Sequence, residues 1–411
     1  MKPTVLIATT CRWFSAARLS MALANSGYAV KAVCPPDHPL CKTSAAQETY
    51  SYRGLMPLMS FREAIVIGKP DLIVPGDDLA VQHLHELYYR EQRNGSAGAE
   101  TCALIERSLG AAESFPVVYS RSQFLHLAEE EGIRAPKTQV IANIEELRHW
   151  GARMGFPMVL KADGTSGGEG VRVVRTAQGA ERAFRRLQAP PILARVAKRV
   201  LLDRDTTLVW PMLSRHRSVV SAQTFIPGRE ATSLVACWEG TVLAGLHFEV
   251  LSKQDSTGPA SVVRMIKDAD MVSATEKMVR RLGLSGLHGF DFMLEAQTGN
   301  AYLIEINPRT TQVGHLRLGP GRDLPAALHA AISGGVVGET TKMTENDTIA
   351  FFPQEWLRNP GSAFLRSGYH DVPWEEPGLI RVGLRKQRKW GTWLSQGKWS
   401  QAFSEVRLPR S

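Results

Sequence analysis

One stretch of this 411-residue chain, Gly289–Arg309, constrains the fold more than any other. Apolar residues alternate on both sides of a polar corner, which predicts two strands joined by a hairpin turn. Antiparallel pairing would bring Asp291 opposite Glu305 and Asn307, and Leu303 would share the face of Glu305. Two carboxylates buried side by side are unfavourable unless a cation neutralises them. The stretch therefore predicts either a metal site or an ordinary hairpin whose acids face water.

The donor set of this hairpin favours a magnesium ion. Mg²⁺ takes few protein carboxylates and completes its octahedron with phosphate oxygens and water, and Mn²⁺ accepts similar oxygen ligands. The candidate metal ligands are Asp291, Glu305 and Asn307.

A glycine-rich run at 165–170 lies well upstream of the hairpin. We predict a short buried strand at Phe156–Leu160, with Lys161 at its end, and another strand at Val171–Val174 after the glycines. Because glycines lack Cβ atoms, backbone N–H groups of the run can close over phosphate oxygens. The run is not a P-loop, since no Lys-Ser or Lys-Thr follows it.

The order of these motifs resembles the ATP-grasp superfamily. Lys161 comes first, then the glycine-rich run, then Asp291, and finally Glu305-x-Asn307-x-Arg309. The likeness is greatest to carbamoyl-phosphate-synthase-like carboxylate–amine ligases, and it covers about residues 120–334. It implies an α/β chain in which an ATP-grasp fold follows a Rossmann-like (pre-ATP-grasp) α/β domain and precedes a basic C-terminal extension.

The resemblance also implies which residues hold ATP. Arg121 falls where family members carry a basic residue on the nucleotide phosphates, although a lone arginine at a helix start also suits a solvated surface. Residues 221–230 are similar to the adenine-reading hinge, with Glu230 on the ribose hydroxyls. Met293 would lie beneath adenine, or would simply pack in the core. The candidate nucleotide-binding residues are Arg121, Lys161, Ser166, Gly167, Gly168, Gly170, Gln223, Phe225, Ile226, Glu230 and Met293.

Three segments are expected, at 1–115, 116–335 (with a mobile lid at about 156–220) and 336–411. The first alternates strand-like and helix-like stretches, which favours a parallel sheet, and its lack of G-x-G-x-x-G argues against a dinucleotide. Asp77 and Asp78 follow a predicted strand there and would either meet a substrate amine or cap the next helix. His315 would be a proton carrier or, as we favour, a neutral loop residue.

Composition limits the class of protein. Hydrophobic residues make up 44% of the chain and charged residues 22%, as in ordinary globular proteins. Five scattered cysteines form no Cys-x-x-Cys pair, which argues against a disulfide framework or zinc site and fits the cytoplasm. No apolar run approaches the ~20 residues that span a bilayer, so we expect no membrane insertion.

The end of the chain, residues 381–411, carries eight Lys or Arg residues against one acid. Three tryptophans, Trp390, Trp393 and Trp399, are interleaved with these charges. Basic residues with aromatics are typical of nucleic-acid or anionic-membrane binding. The same pattern suits a helix whose tryptophans pack on the parent domain, and we expect packing and no nucleic acid.

The expected function is an ADP-forming ligase. Lys161 and Arg309 would be its catalytic residues, because Arg309 can stabilise charge while a carboxylate is phosphorylated and an amine or thiol then attacks the acyl phosphate. The expected partners are ATP and small carboxylate and amine substrates, free or carrier-bound. A homodimer is compatible with this expected function. The alternatives are an ATP-grasp small-molecule kinase and an ATP-binding module without turnover.

Overall fold

In the computed structural model, which describes residues 2–163, 170–189, 218–255, 258–338 and 341–388 (385–388 as backbone only), the chain begins with a parallel sheet. Its four strands are ordered β3-β2-β1-β4, and every neighbouring pair runs parallel. The elements are β1 (Thr4–Ala8), α1 (Phe14–Asn25), β2 (Ala29–Cys34), β3 (Ala46–Ser51), α2 (Pro57–Gly68), β4 (Leu72–Pro75), α3 (Asp78–Arg93) and α4 (Ala99–Leu109), with short 3₁₀ turns at Pro39–Lys42, Gly95–Ala97 and Ala112–Ser114.

One carboxylate, that of Asp77, organises the carboxyl end of this sheet. It caps α3 by accepting from the Ala80 N–H at 2.9 Å. It also accepts from the Thr9 hydroxyl at 2.7 Å and from the Thr10 N–H and hydroxyl at 2.6 and 2.8 Å. The capping interpretation of Asp77 is therefore confirmed, and the same carboxylate also holds the β1–α1 loop in place.

A second four-stranded sheet follows, which we call the small sheet because its strands are short, and all its strand pairs are antiparallel in the order β5-β8-β6-β7. Two helices pack against it through a separate apolar cluster that includes Leu147, Trp150 and Phe184. The elements are α5 (Phe115–Tyr119), α6 (Arg121–Glu130), β5 (Thr138–Ile141), α7 (Ile144–Met154), β6 (Met158–Ala162), β7 (Val171–Val174), α8 (Ala177–Gln188) and β8 (Val220–Thr224).

The third sheet has seven strands in the order β13-β12-β9-β10-β11-β14-β15, antiparallel except for the last pair. Its elements and their helices are β9 (Gly228–Trp238), β10 (Thr241–Lys253), β11 (Ala260–Met265), α9 (Ala269–Leu282), β12 (Gly286–Glu295), β13 (Ala301–Asn307), α10 (Leu324–Ser333), β14 (Thr348–Phe351), α11 (Gln354–Arg358), α12 (Phe364–Ser367), β15 (Tyr369–Asp371) and α13 (Pro377–Arg388).

The two faces of the seven-stranded sheet pack against different partners. Along β9, Leu234 and Ala236 join the core formed by α1, α10 and the parallel sheet. The alternating residues Val235 and Cys237 join the core formed by α6 and α9. The period of two along β9 thus places the seven-stranded sheet between two hydrophobic layers.

The last described part of the chain continues the large sheet and then returns to the start of the molecule. β14 and β15 extend the sheet beyond β11, within the predicted 336–411 segment. Leu379, on α13, is fully buried against Ala17 and Met21 of α1. Residues Trp390, Trp393 and Trp399 lie outside the described residues. Within the described ranges, no helix combines the length and apolarity needed to cross a bilayer.

Removing the Asp77 carboxylate should destabilise the protein more than removing an ordinary helix cap. Asp77→Ala loses a cap and leaves several buried donors unpaired, so we expect the free energy of unfolding to fall by about 2–4 kcal/mol. Asp268→Ala is the matched control, because Asp268 caps α9 through one bond, from Met271 N–H at 2.9 Å. We expect about 1 kcal/mol there. Equal losses in urea unfolding would contradict this role of Asp77.

Candidate functional site

The hairpin of β12 and β13 places its polar residues as the sequence predicted. Asp291 pairs directly with Glu305, and Gly289 pairs with Asn307. The Asn307 amide donates to Asp291 Oδ2 at 2.9 Å, and the Thr232 hydroxyl of β9 donates to Asp291 Oδ1 at 2.9 Å. Asp291, Glu305 and Asn307 therefore form one cluster on one face of the sheet.

A β-bulge corrects one detail of that prediction. The register passes from Asp291–Glu305 to Phe292–Leu303, so β13 contains one extra residue at this point. Leu303 consequently turns away from Glu305 and is fully buried in the core against α6 and α9. The expectation that Leu303 shares the face of Glu305 is wrong, because a bulge interrupts the alternation of a strand. The bulge lets β13 bury Leu303 while it presents Glu305 beside Asp291.

Two cations from separate segments reach Glu305. Arg121, the first residue of α6, donates to Glu305 Oε2 at 3.0 Å and to Asp163 Oδ1 at 2.9 Å. Lys161, on β6, places Nζ 3.7 Å from the same Glu305 oxygen. The side chains of Arg121 and Lys161 are only 10% and 7% exposed. Arg121 is therefore part of the site and not a solvated surface charge.

The two carboxylates of the hairpin have opposite electrostatic surroundings. Burial, with the charge of Glu305 acting in the same direction, raises the pKa of Asp291 to about 6, against the hydrogen bonds of Asn307 and Thr232 and the charge of Arg309. Burial would also raise the pKa of Glu305, but Arg121 and Lys161 outweigh it and the pKa is lowered. Within the described residues no salt bridge reaches Asp291. Negative charge is thus balanced at Glu305 and not at Asp291.

The pKa of Lys161 is also changed by burial. Desolvation lowers the pKa of its ammonium to about 8, although Glu305 favours the charged form. A lysine that is buried at the end of a strand and is only partly compensated would gain from a further anion nearby. The geometry is thus suited to binding an anionic group between Lys161 and Arg121.

Arg309 joins the hairpin to the parallel sheet. Its Nε donates to Asp78 Oδ1 at 2.9 Å, and its Nη2 donates to Asn307 Oδ1 at 3.2 Å. The guanidinium carbon lies 4.7 Å from the centre of the Trp13 ring, a cation–π contact. Asp78, at the N-terminus of α3, therefore pairs with Arg309, whereas its neighbour Asp77 is used as a cap.

The segment between β8 and β9 contains the candidate adenine-binding residues. The Gln223 side chain is 2% exposed, and its Nε2 has no hydrogen-bond partner among the described residues. Phe225 and Ile226 follow in the connection and are partly buried. Glu230 accepts from Lys253 Nζ at 2.6 Å. Met293 pairs with Glu230 across β12 and β9 and is partly exposed on the Asp291 face, so it lies outside the two apolar cores.

The glycine-rich run is only partly described. Ser166, Gly167 and Gly168 lie outside the described residues. Gly170 is buried, and its carbonyl accepts from the Ala162 N–H at 3.0 Å at the start of β7. The predicted β7 bounds, Val171–Val174, are confirmed.

Some residues of this site were not predicted. Thr232 lies two residues after Glu230, so the alternation of β9 could have placed it on the same face. Asp163 follows Lys161 by two residues and holds Arg121, whereas Trp13 is far away in sequence and had no local signal. His315 contacts Asp371 instead of the hairpin carboxylates, since its Nε2 lies 2.6 Å from Asp371 Oδ2.

The possible metal ligands of the described residues are few. None of these residues form a cluster of three or more His, Cys, Asp or Glu side chains. A metal at the hairpin would therefore be held by the carboxylates of Asp291 and Glu305 with the amide of Asn307. This sparse oxygen set fits magnesium, which leaves most of its coordination to water and ligand oxygens.

Comparison with known proteins supports the fold and the family. Residues 123–313 match the family model of the ATP-grasp domain. The N-terminal section of the carbamoyl phosphate synthase large chain of Aquifex aeolicus is 25% identical over 349 residues, which cover 83% of this chain and 57% of that protein. The large chain of Thermus thermophilus is 23% identical over 203 residues, covering 49% of this chain and 18% of that protein. The chain thus spans less than two thirds of these relatives.

Two solved structures share the overall arrangement. The biotin carboxylase domain of Hydrogenobacter thermophilus 2-oxoglutarate carboxylase, solved as a dimer with MgADP and bicarbonate, has a TM-score of 0.58 and 15% identity, covering 82% of this chain and 71% of that one. The ADP complex of Staphylococcus aureus N5-carboxyaminoimidazole synthetase has a TM-score of 0.55 and 14% identity, covering 84% and 81%. The predicted α/β fold is confirmed.

The unequal surroundings of the two carboxylates can be tested by stability alone. Asp291→Asn removes the uncompensated charge, and the new amide can still bond to Thr232 and Asn307, so we expect Tm without ligands to rise by about 1–3 °C. Glu305→Gln removes the partner of Arg121 and Lys161, so we expect Tm to fall by a similar or larger amount. Calorimetry at neutral pH measures both variants, and shifts of the same sign would contradict the proposed charge balance.

Proposed function

Because the chain carries an ATP-grasp domain, we propose that the protein is an ATP-dependent, ADP-forming ligase that joins a carboxylate to an amine or thiol. The observation that carries this proposal is the cluster of Asp291, Glu305 and Asn307 beside two buried cations, Arg121 and Lys161. A binding site for a neutral ligand has no need of such a concentration of charge. A metal-bound phosphate needs both carboxylates and cations around it, because it brings both signs of charge at once.

The described residues fit ATP in several places. Arg121 and Lys161 would bind phosphate oxygens, together with the backbone of the run that contains Ser166, Gly167, Gly168 and Gly170. The buried Gln223 amide offers a donor for an adenine ring nitrogen or, turned over, an acceptor for the exocyclic amine. Glu230 would accept from the ribose hydroxyls after its bond to Lys253 is exchanged. Met293 would supply an apolar contact to the base.

Magnesium would be held by Asp291, Glu305 and Asn307. When bound, the ion would neutralise negative charge on the phosphate oxygens and so make the γ-phosphorus more open to attack. Asp291 would gain from such an ion, since burial and Glu305 make its charged form less favourable than that of an ordinary aspartate. The protein contributes the placement of Asp291 by Thr232 and Asn307, which fixes both carboxylate oxygens.

The proposed reaction has two steps. An oxygen of the substrate carboxylate attacks the γ-phosphorus of ATP, the bond to the β–γ bridging oxygen breaks, and ADP leaves an acyl phosphate behind. The amine or thiol then attacks the acyl carbon, inorganic phosphate leaves with the bonding electrons, and the attacking group loses its proton. Lys161 and Arg121 would hold transferring phosphate charge in place during the first step.

Arg309 would act in both steps. It is nearly buried, touches Asn307 of the metal cluster and is oriented by Asp78 and Trp13. A guanidinium held in this way can stabilise negative charge on the carboxylate, on the acyl phosphate and on the tetrahedral intermediate without reorganising. The parallel sheet, which supplies Asp78 and Trp13, would then lie on the substrate side of the site.

Lys161→Ala should weaken ATP binding more than it destabilises the protein. Burial already lowers the pKa of Lys161, and Arg121 still compensates Glu305 in the variant, so we expect the loss of stability to be the smaller effect. The phosphates would lose a charge-assisted bond, so we expect Kd for ATP with magnesium to rise about 10- to 100-fold by calorimetric titration. Lys137→Ala, at an exposed lysine paired with Glu129, is the control. Equal Kd values in all three proteins would remove Lys161 from the site.

The reaction class can be tested with a library of carboxylates crossed with amines and thiols. A ligase should release ADP and phosphate only when both partners are present, and mass spectrometry should show a condensed product. Glu305→Gln should lower this turnover by about 100-fold or more, since it removes a metal ligand and a bridging charge. Release of ADP with a single substrate, together with a stable phosphorylated product, would instead indicate a kinase.

A further inference from the structure

Two cysteines lie together at the carboxyl end of β2 in the parallel sheet, far in sequence from the hairpin carboxylates. Cys34 is the last residue of β2, and Cys41 lies in the 3₁₀ turn Pro39–Lys42. Their Sγ atoms are 3.8 Å apart. Both are free thiols. We call residues 34–42, which connect the two cysteines and end the 3₁₀ turn, the strap.

The two thiols differ in their exposure to solvent. Cys34 is 2% exposed, and burial followed by the neighbouring Cys41 raises the pKa of its thiol. Cys41 is exposed to solvent. An oxidant in solution would therefore reach Cys41 first, with Cys34 directly behind it.

The strap is bound to the loop that carries Trp13. Arg12 Nε donates to the carbonyl of Pro36 at 2.9 Å, and His38 Nε2 lies 3.0 Å from the carbonyl of Cys11. The other ring nitrogen of His38 accepts from the Leu40 N–H at 2.9 Å. Both ring nitrogens are thus engaged, so His38 joins the 3₁₀ turn to the 9–13 loop.

That loop leads directly to the candidate site. Trp13 packs its ring under the Arg309 guanidinium, and Thr9 and Thr10 are bound by the Asp77 carboxylate. A movement of the strap would therefore alter the surroundings of Arg309, on the substrate side, more directly than those of Asp291 or Glu305.

We propose that Cys34 and Cys41 form a redox modification site, in which a peroxide converts the two thiols into a reversible disulfide that displaces the 9–13 loop beneath Arg309. Nothing in the ligase reaction requires this pair, so the inference stands apart from the proposed function. Transient disulfides of this kind in reducing compartments usually serve redox sensing.

The chemistry balances with one molecule of peroxide. The Cys41 sulfur attacks one peroxide oxygen, the O–O bond breaks, and Cys41 becomes a sulfenic acid while water leaves. The Cys34 sulfur then attacks the Cys41 sulfur and forms the S–S bond, and its proton leaves with the sulfenic oxygen as a second water. Two thiols are oxidised and the peroxide is reduced, and a dithiol such as dithiothreitol reverses the change.

The geometry determines which part moves. A disulfide needs an S–S distance of about 2 Å, so the sulfurs must approach by roughly 1.8 Å from their 3.8 Å separation. Cys34 is held in β2 by its parallel pairing with Ser51 of β3, whereas Cys41 is an exposed residue of the 3₁₀ turn, outside the sheet. The turn should therefore move toward the sheet and carry His38 with it.

The experiment treats the full-length protein with hydrogen peroxide, quenches it, and alkylates the remaining thiols under denaturing conditions. We expect alkylated cysteines to fall from five to three, with peptide mapping locating one Cys34–Cys41 disulfide. Hydrogen exchange should change in residues 9–13 and 34–43, and dithiothreitol should restore both readouts. Cys41→Ser should keep all four remaining thiols alkylatable after the same treatment.

Cys102→Ser is the matched control, because Cys102 is a partly exposed thiol that bonds to the Tyr88 carbonyl. This variant should form the Cys34–Cys41 disulfide at the wild-type rate and show the same exchange changes. The proposal is wrong if peroxide leaves five free thiols, if it stops at sulfinic acid on Cys41, or if a disulfide forms without any change in the 9–13 loop. Each readout is independent of turnover, so a failed ligase assay would not affect it.

Discussion

The structure depends on two carboxylates that face each other across one antiparallel pair, Asp291 and Glu305. Placing like charges side by side in a partly buried place is unfavourable unless cations compensate them. The fold supplies that compensation to Glu305 alone, through Arg121 of α6 and Lys161 of β6. Three separate segments must therefore meet at one carboxylate, and this requirement fixes how the small sheet, α6 and the hairpin lie relative to one another.

The parallel sheet belongs to the same site through its loops. Asp77 ties the β1–α1 loop to the start of α3, and the neighbouring Asp78 and Trp13 orient Arg309. A hydrophobic core shared by α1, α10, the parallel sheet and the seven-stranded sheet holds these parts together. The position of Arg309 is therefore fixed by contacts from two sheets. These contacts restrict its side chain more than the contacts of a single loop would.

Much of this could be predicted from the sequence where the signal is local. The hairpin and β7 follow from alternation and glycine placement, and the bounds of β7 agree with the prediction. The bulge at Glu305 was missed, because it arises from packing Leu303 against α6 and α9. The contacts of Arg309 with Asp78 and Trp13 were also missed, since chain distance hides them. Similarly, five scattered cysteines gave no sign that Cys34 and Cys41 adjoin.

Arg121 connects these points. It bonds Asp163, which follows the small-sheet strand β6, and Glu305, on the large sheet, at the same time. Burial raises the pKa of Asp163, and Arg121 opposes that rise, so Arg121 favours the charged form of Asp163. Under the proposed function, a phosphate bound to Arg121 would compete with both carboxylates for this guanidinium. A cation at Asp291 and Glu305 would offset that loss on the side of the seven-stranded sheet only. The proposed binding of phosphate and of magnesium would therefore be coupled through one guanidinium, which also joins the two sheets.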